Sequence, residues 1–412
     1  MLPPSLSRWF TFAALSLAYF TISAGSFSSL GVVLPAMVRE MGWSWTQAGL
    51  GYTLLGVACG LASPLPALLI RRIGVRGSML VGMLCMVGGF LAMALAHSIW
   101  LYLTATVLIG VAFALVSTVP GIHVLTDLFR RRSTALGAYI TIGASGGIAG
   151  PLIYIAVQAV TRGWRPYWVG FVIVSVLVGL FAVATTPGRR GVDQPEPGSA
   201  RDEGRGARVR DFTVRAALAT PQFYLIVAGY TVYLLINTTT HGFAVQHLTE
   251  RGVAPNAAAT MLSVEAFVGA AVGLFGGLLG EKIPAKALML ASLVAVTLGD
   301  FGLAEARGWP LMTLYILGVG VGFGLSFLAS TLLLLDYFGK KPNLELFSIM
   351  CTLSTVAALG PLVGGWARDV LGNFWIVLIG HGAISALVLA ASLFLKPPVP
   401  PKAASVVAEP AT

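Results

Sequence analysis

A row of polar side chains inside an apolar segment is the first feature of this sequence that can do chemistry. The row consists of Tyr230, Tyr233, Asn237 and His241. Their spacing of three, four and four residues puts them on one face of an α-helix. Phenol, amide and imidazole groups on one face can hydrogen-bond a carboxylate or a ring substituent, which makes this face a candidate substrate-binding surface. The alternative is hydrogen bonding between helices, which is common for such groups in membranes.

Glu265 is the acid that lies deepest in an apolar segment, within TMLSVEAFVG. A charged carboxylate inside a membrane is costly, and ionisable residues there are usually functional. Glu265 is therefore a candidate carrier of a coupled proton, bound and released as its surroundings change. His241 is the second candidate, since imidazole titrates near physiological pH. The alternative is a permanently protonated acid, bonded to a neighbouring hydroxyl or carbonyl.

The remaining candidates are few. Tyr19 and Ser23 share a helical face near the amino terminus and are candidates for substrate contact. No lysine or arginine lies deep in an apolar segment. An anion would then be held by neutral groups and helix N-termini, or would enter as the neutral acid. The sequence has no Walker motif, zinc-ligand spacing or nucleophile elbow, so we expect no catalytic residue, no metal and no cofactor.

The composition indicates a chain that is mostly embedded in a membrane. It is 57% hydrophobic and 10% charged, whereas soluble domains carry about 25% charged residues. Apolar stretches of about 20 residues, the length of a membrane helix, predict an all-α integral membrane protein with twelve transmembrane helices. The stretches are 10–36, 45–70, 77–96, 99–125, 134–160, 167–187, 221–248, 257–280, 285–304, 309–335, 345–370 and 374–395.

The charges predict how these spans are oriented. Most of the 26 lysines and arginines fall at the amino terminus, in every second loop, in the segment after span six and in the tail. Cytoplasmic loops attract lysine and arginine, so both termini are predicted to be cytoplasmic. The net charge of +10 is thereby explained without nucleic acid. The predicted division is a six-helix half 1–187, a cytoplasmic linker 188–218, a six-helix half 219–396 and a disordered tail 397–412.

One line of sequence occurs twice. Asp127–Pro151 and Asp336–Pro361 both begin with an acid and a phenylalanine two residues later, continue with a cationic cluster and end in Gly-Pro. Each copy starts at the inner end of the fourth span of its half. Two six-helix halves related by a parallel repeat are typical of one transporter architecture, with the substrate site between the halves.

With six plus six spans, a long central linker and basic loops after the second and eighth spans, the chain resembles the major facilitator superfamily over about residues 8–396. The family motif in the first of these loops contains an acid followed by cations. Arg71 stands at the acid position and Arg72 follows it, whereas the second half keeps Glu281 and Lys282. The resemblance implies gating roles for these four residues, and we add Asp127, Arg131 and Asp336 from the repeated line. The alternative is that the cations only anchor the topology.

Within the superfamily, the pattern F-x-R-R-x-x-A-x-G after span four resembles the monocarboxylate and oxalate–formate branch. It starts at Phe129 and ends at Gly137. Proton-coupled drug exporters carry Arg and Gln in span four, where this chain has Thr106 and Ile109. The resemblance also implies that spans 1, 4, 7 and 10 line the cavity and that spans 3, 6, 9 and 12 pack outside. Asp300 and His381 would then lie away from the substrate.

The expected function is secondary active transport of a small, monocarboxylate-like organic anion by alternating access with proton symport, and no enzymatic activity. One alternative is a carrier or exporter of neutral, cationic or amphiphilic compounds, and another is a non-transporting membrane sensor or an intramembrane enzyme. The expected partners are the solute, a proton and the lipid bilayer. We expect a monomer that crosses the cell membrane many times. In a bacterium this membrane would be the inner membrane.

Overall fold

The computed structural model describes residues 4–117, 120–121, 124–125, 128–129, 132–186, 212–279, 283–339 and 342–399. Helices dominate these residues, and no strand occurs among them. In chain order the helices are α1 (Pro4–Ala24), α2 (Phe27–Met41), α3 (Trp45–Ala62), α4 (Leu65–Ala94), α5 (Ile99–Val116), α6 (Arg132–Thr161), α7 (Arg165–Thr185), α8 (Val214–Leu218), α9 (Pro221–Glu250), α10 (Pro255–Leu279), α11 (Ala285–Glu305), α12 (Trp309–Phe338), α13 (Asn343–Ser354), α14 (Gly360–Leu371) and α15 (Trp375–Leu393).

The predicted spans correspond to these helices. Eleven segments of the described chain are long and apolar enough to cross a membrane. The other predicted span begins as α3, breaks at Ser63 and Pro64, and continues into the first part of α4. Gly74 then adopts φ 78° and ψ 171°, a conformation that favours glycine, and the chain changes direction there. The prediction of an all-α membrane protein is confirmed.

Two predicted spans are interrupted in the middle. The first is divided into α1 and α2 by Gly25 and Ser26, and the eleventh into α13 and α14 by a 3₁₀ helix, Thr355–Leu359. The 3₁₀ segment ends directly before the Gly-Pro pair that closes the second copy of the repeated line. Interrupted membrane helices are tolerated where the freed backbone groups are buried in protein or line a cavity.

The bundle has two ends, which we name from the chain. The proximal end carries the start of α1 and the break at Gly74, and the distal end carries the turns after α2 and after α11. Lys286 donates to the carbonyl of Leu393 at the proximal end over 2.8 Å. At the distal end, Arg165 of α7 forms an ion pair with Glu40 of α2. The helices therefore alternate in direction as twelve antiparallel spans require.

The most extensive contacts between the first six spans and the last six join α2 with α9, α3 with α14, and α6 with α10. Glycines allow the closest of these approaches. A side chain at Gly31 would clash with the carbonyl oxygen of His241, and one at Gly49 with that of Pro361. Small residues permit such close packing between membrane helices, and here they bring the two groups of spans together.

The end of the predicted linker is packed against the bundle. Phe212 is buried, and its amide donates to the carbonyl of Phe338 over 3.1 Å. The short helix α8 follows, with Thr213 Oγ1 accepting from the amide of Ala216 at 3.2 Å. The last residues of the predicted linker 188–218 thus pack against the bundle, because Phe212 and Ala217 bury apolar side chains there.

Candidate functional site

His241 of α9 and Glu265 of α10 meet inside the bundle. His241 Nε2 lies 3.7 Å from Glu265 Oε2, and the two residues are 8% and 0% exposed. The distance is too long for a direct hydrogen bond and short enough for a strong electrostatic interaction at low dielectric. The two sequence-predicted proton carriers are thus brought together as one pair.

The backbone fixes the orientation of the imidazole. His241 Nδ1 lies 2.9 Å from the carbonyl oxygen of Asn237, one turn earlier in α9. A carbonyl only accepts, so Nδ1 carries a hydrogen and donates it. In the neutral ring, Nε2 is then the acceptor, and it faces Glu265. One proton can therefore move between the carboxyl oxygen and Nε2.

Further polar atoms near the pair have no hydrogen-bond partner among the described residues. They are both carboxyl oxygens of Glu265, Asn237 Nδ2, Thr240 Oγ1 and the Tyr315 hydroxyl. Tyr52, Tyr233 and Tyr315 lie within electrostatic range of Glu265. Buried polar groups are almost always paired in folded proteins. Such a concentration of unpaired groups indicates a place where a polar ligand binds.

The pair belongs to the last six spans and faces the first six. The ring of Tyr52 in α3 lies against Gly242, with 3.7 Å to the place where a Cβ would be. The Tyr52 hydroxyl donates to the carbonyl of Phe27 over 2.8 Å, at the point where the first span is broken. The site therefore lies at the interface between the first six spans and the last six.

The other members of the α9 row lie on the proximal side of the pair. Tyr230 and Tyr233 are buried, with ring centroids 6.0 Å apart. Each also contacts a phenylalanine of α12, at 6.4 Å to Phe327 and 6.4 Å to Phe323. The row is thus one face, as the spacing predicts. Its aromatic part packs against α12, and its imidazole lies beside Glu265.

Tyr19 and Ser23 are placed in a different environment. The Tyr19 ring is 5.4 Å from that of Tyr139 in α6 and 6.4 Å from that of Phe113 in α5. Ser23 packs against Gly146, also in α6. Both residues are half-buried within the first six spans. Their role in substrate binding stays a prediction.

Tyr315 is a site residue that sequence reasoning missed. It lies on α12, seven residues into an apolar helix that begins at Trp309, and it is fully buried. The small residues of the same helix pack against α11: Ser326 Oγ is 2.5 Å from Ser292 Oγ. A tyrosine one turn before Gly318, within an otherwise apolar stretch, was the signal available.

The predicted gating residues fall into two groups. Arg71, Arg72 and Asp336 are exposed near the proximal end, and no ion pair joins any of them to another described residue. Asp127, Arg131, Glu281 and Lys282 lie outside the described residues. The gating role of all seven stays a prediction.

The distal end is closed by a contact that the sequence did not predict. Asp369 at the end of α14 accepts from the amides of Trp45 and Thr46, at 3.0 and 2.7 Å, and from Thr46 Oγ1 at 2.6 Å. These amides begin α3, and the first amides of a helix have no partner within it. An acid from the last six spans thus caps a helix of the first six.

A small cavity lies between the pair and the distal surface. It measures about 110 Å³ and is enclosed by α2, α6, α9 and α10. Val245, one turn beyond His241, forms part of its wall, and Arg39, Gln158, Gln246 and Asn256 line it with polar groups.

Comparison with known proteins agrees with this architecture. The sequence profile described as Major Facilitator Superfamily matches residues 15–247. Monocarboxylate transporter 13 of Rattus norvegicus is 29% identical over 340 residues, which are 78% of this chain and 73% of that protein. Multidrug resistance protein MdtG of Enterobacter lignolyticus is 29% identical over 286 residues, 66% and 65% of the two chains. The crystal structure of nucleoside transporter NupG matches with a TM-score of 0.73 at 14% identity, over 94% and 98% of the chains.

Proposed function

The chain belongs to the Major Facilitator Superfamily, and we propose that it carries a small monocarboxylate-like anion together with a proton, by alternating access. Membership makes it a secondary transporter rather than an enzyme. The likeness to monocarboxylate transporters supports the substrate class. The observation that supports coupling to a proton is the buried contact between His241 and Glu265.

The charge balance of the site links the anion to the proton. No lysine or arginine is buried among the described residues, so a bound anion has no fixed positive partner in this part of the chain. Burying a charge without a partner is strongly unfavourable. A proton added to the pair supplies the missing charge. The anion and the proton therefore bind more favourably together than either does alone.

The states of the pair follow from this balance. The empty pair holds one proton, on Glu265 or on His241 Nε2, and its net charge is zero in both cases. With the anion present, a second proton makes Glu265 neutral and His241 cationic, and the loaded site is again neutral. Asn237 Nδ2 and the Tyr315 hydroxyl, both unpaired in the described structure, can donate to the carboxylate. Release of the anion makes the extra proton unfavourable, and both leave.

A second candidate function has its own support. The chain is also similar to a multidrug resistance protein, and Glu265 without its proton could balance a cationic substrate. Cation binding would displace the proton of the pair instead of adding one. The two functions therefore differ in the sign of the proton linkage. A sensor or an intramembrane enzyme has no observation in its favour.

The decisive test is proton uptake on binding. Purified protein is titrated with lactate or benzoate, and with tetraphenylphosphonium, by calorimetry in two buffers that differ in ionisation enthalpy. We expect an anion to bind more tightly as the pH falls, with about one proton taken up. Tighter binding of the cation as the pH rises, with a proton released and no anion bound, would establish the second function instead.

The double variant Glu265→Gln/His241→Gln tests the place of the proton. Neither side chain can then take up a proton, so the anion should bind without uptake and much more weakly. Uncharged lactamide serves as the matched ligand, because its binding needs no proton and should change little. Uptake of one proton per anion by the double variant would put the proton at another residue.

We also propose that both termini and the linker are cytoplasmic in a cell membrane, with six-helix halves 1–187 and 219–396. The distribution of cations supports this orientation. Single cysteines at Gly198 and Val407 should react with a membrane-impermeant thiol reagent only in inverted vesicles, in a chain from which the three native cysteines have been removed. Labelling of either position in intact cells would reverse the orientation.

A further inference from the structure

A second buried acid lies away from the substrate site, in α11. Asp300 is fully buried, and neither of its carboxyl oxygens has a hydrogen-bond partner among the described residues. A buried polar group without a partner costs free energy, and a buried charge costs more. The sequence set Asp300 aside because its span was expected to pack outside. The burial of Asp300 without a hydrogen-bond partner therefore needs a physical explanation.

The packing of α11 against α15 shows what faces Asp300. The hydroxyl oxygens of Thr297 and Ser385 are 2.7 Å apart and fix the register of the two helices. One turn nearer the distal end, Gly382 of α15 lies against Phe301, the neighbour of Asp300: a side chain at Gly382 would meet the Phe301 ring at 2.9 Å. Because the helices are antiparallel, Asp300 lies opposite the turn of α15 that carries His381.

His381 is the complementary group. It is 6% exposed, and its Nδ1 has no partner among the described residues. An acid and an imidazole in one buried layer offer a proton two positions. We propose that Asp300 and His381 form a second proton-binding site, inside the last six spans and separate from the pair at Glu265.

The other titratable groups around Asp300 cannot take the place of His381. From α12, Tyr315 is buried and can donate a hydrogen bond but cannot become a cation. From α9, His247 has its Nε2 3.0 Å from the carbonyl oxygen of Leu303, which engages that nitrogen. Glu305 and Arg307, at the distal end of α11, pair with each other at 3.8 Å. His381 is left as the group that can balance a charge on Asp300.

Infrared difference spectroscopy tests the site without any substrate. The carbonyl stretch of a protonated carboxyl is resolved from that of a carboxylate, so a pH titration of purified protein reports each buried acid. We expect two buried carboxyl bands that change with pH, one lost in Asp300→Asn and the other in Glu265→Gln. His381→Gln should shift the pH at which the Asp300 band changes. Glu345→Gln, an exposed acid, is the matched control and should remove neither band.

Two results would overturn the proposal. Absence of any band that Asp300→Asn removes would mean that Asp300 holds no proton. A band that stays constant at every pH at which the protein is folded would make Asp300 a permanently neutral structural acid. If Asp300→Asn is too unstable to purify, wild-type protein isotopically labelled at its aspartate carboxyls separates the Asp300 band from that of Glu265. If only the Glu265 band is absent or does not change with pH, that result would count against the transport mechanism and not against this site.

Discussion

Removing the carboxylate of Asp369 should open the distal end of the transporter. This side chain crosses from α14 to the first turn of α3 and accepts three hydrogen bonds there, two from amides and one from the Thr46 hydroxyl. The other two amides at this helix end are already paired in a capping box, in which Ser44 and Gln47 bond each other reciprocally at 3.1 Å. Asp369 therefore completes the set of unpaired amides that every helix N-terminus presents.

The size of the effect follows from the geometry and the exposure. Loss of a capping side chain costs about 0.5–2 kcal/mol, and an acid at a helix N-terminus gains a further ~0.3–1 kcal/mol from the helix dipole. Asp369 is exposed, and in the open state water replaces its bonds, so the lower part of this range applies. We expect Asp369→Ala to shift the ratio of distal-open to distal-closed molecules by 1–2 kcal/mol, a factor of about 5–30.

Double electron–electron resonance measures the distance between two spin labels, and its distance distribution gives this ratio directly. Spin labels at Arg162 and Asn256 lie at the distal end in opposite groups of spans, and both positions are exposed. In reconstituted protein without substrate, Asp369→Ala should increase the long-distance component at the expense of the short one. Asp369→Asn keeps one acceptor oxygen without the charge and should give an intermediate shift.

The matched control is Glu250→Gln. It breaks an exposed ion pair with Arg368 of 2.9 Å at the same end of the bundle, but both partners belong to the last six spans. The distance distribution should therefore stay as in the wild type. An unchanged distribution in Asp369→Ala, or an equal shift in Glu250→Gln, would refute the argument that the cap holds the two groups of spans together.

Three further outcomes follow from the structure. Gly49→Ala should shift the same distance distribution toward the open state, since its Cβ would clash with the carbonyl of Pro361, whereas Gly170→Ala, with no atom within 4 Å of the added carbon, should leave it unchanged. Asn237→Ala should weaken binding of the anion about tenfold, the effect of one hydrogen bond to a charged group, measured by calorimetry; an unchanged affinity would make Asn237 structural. Arg71→Asp should shift the distance distribution of spin labels at the proximal end toward the closed state. An unchanged distribution would mean that an acid at position 71 does not contact a helix N-terminus.

The fold could be predicted from the sequence because it follows from the length of the apolar stretches and from the positions of the lysines and arginines. Both are local properties of the sequence. Apolar length located all twelve spans, and even the short turn between the third and fourth is present, with Ser98 Oγ accepting from the amide of Leu101 at 3.3 Å. The interruptions could not be predicted in the same way. The break at Gly25 and Ser26 occurs within an unbroken apolar stretch, and it depends on packing against other helices: a side chain at Gly25 would meet the ring of Phe171 at 2.9 Å.

The site was predicted where its residues share one helix and missed where they do not. The spacing of Asn237 and His241 is enough to place them on one face, and burial singles out Glu265. Their contact across α9 and α10 requires the register of two helices, which no single-helix pattern contains. Tyr315 was missed for the same reason, since it joins the site only because α12 packs against α10.

The two ends of the bundle are held together by different contacts. At the distal end, an acid in the last turn of α14 caps α3. At the proximal end the relation is reversed: α13 begins beside the end of the second span, because α3 and the eleventh span pack along each other. The first turn of α13 has no side-chain cap, whereas the first turn of α3 is capped by Asp369 from the other group of spans. This difference favours closure at the distal end, which is the end that the described contacts close.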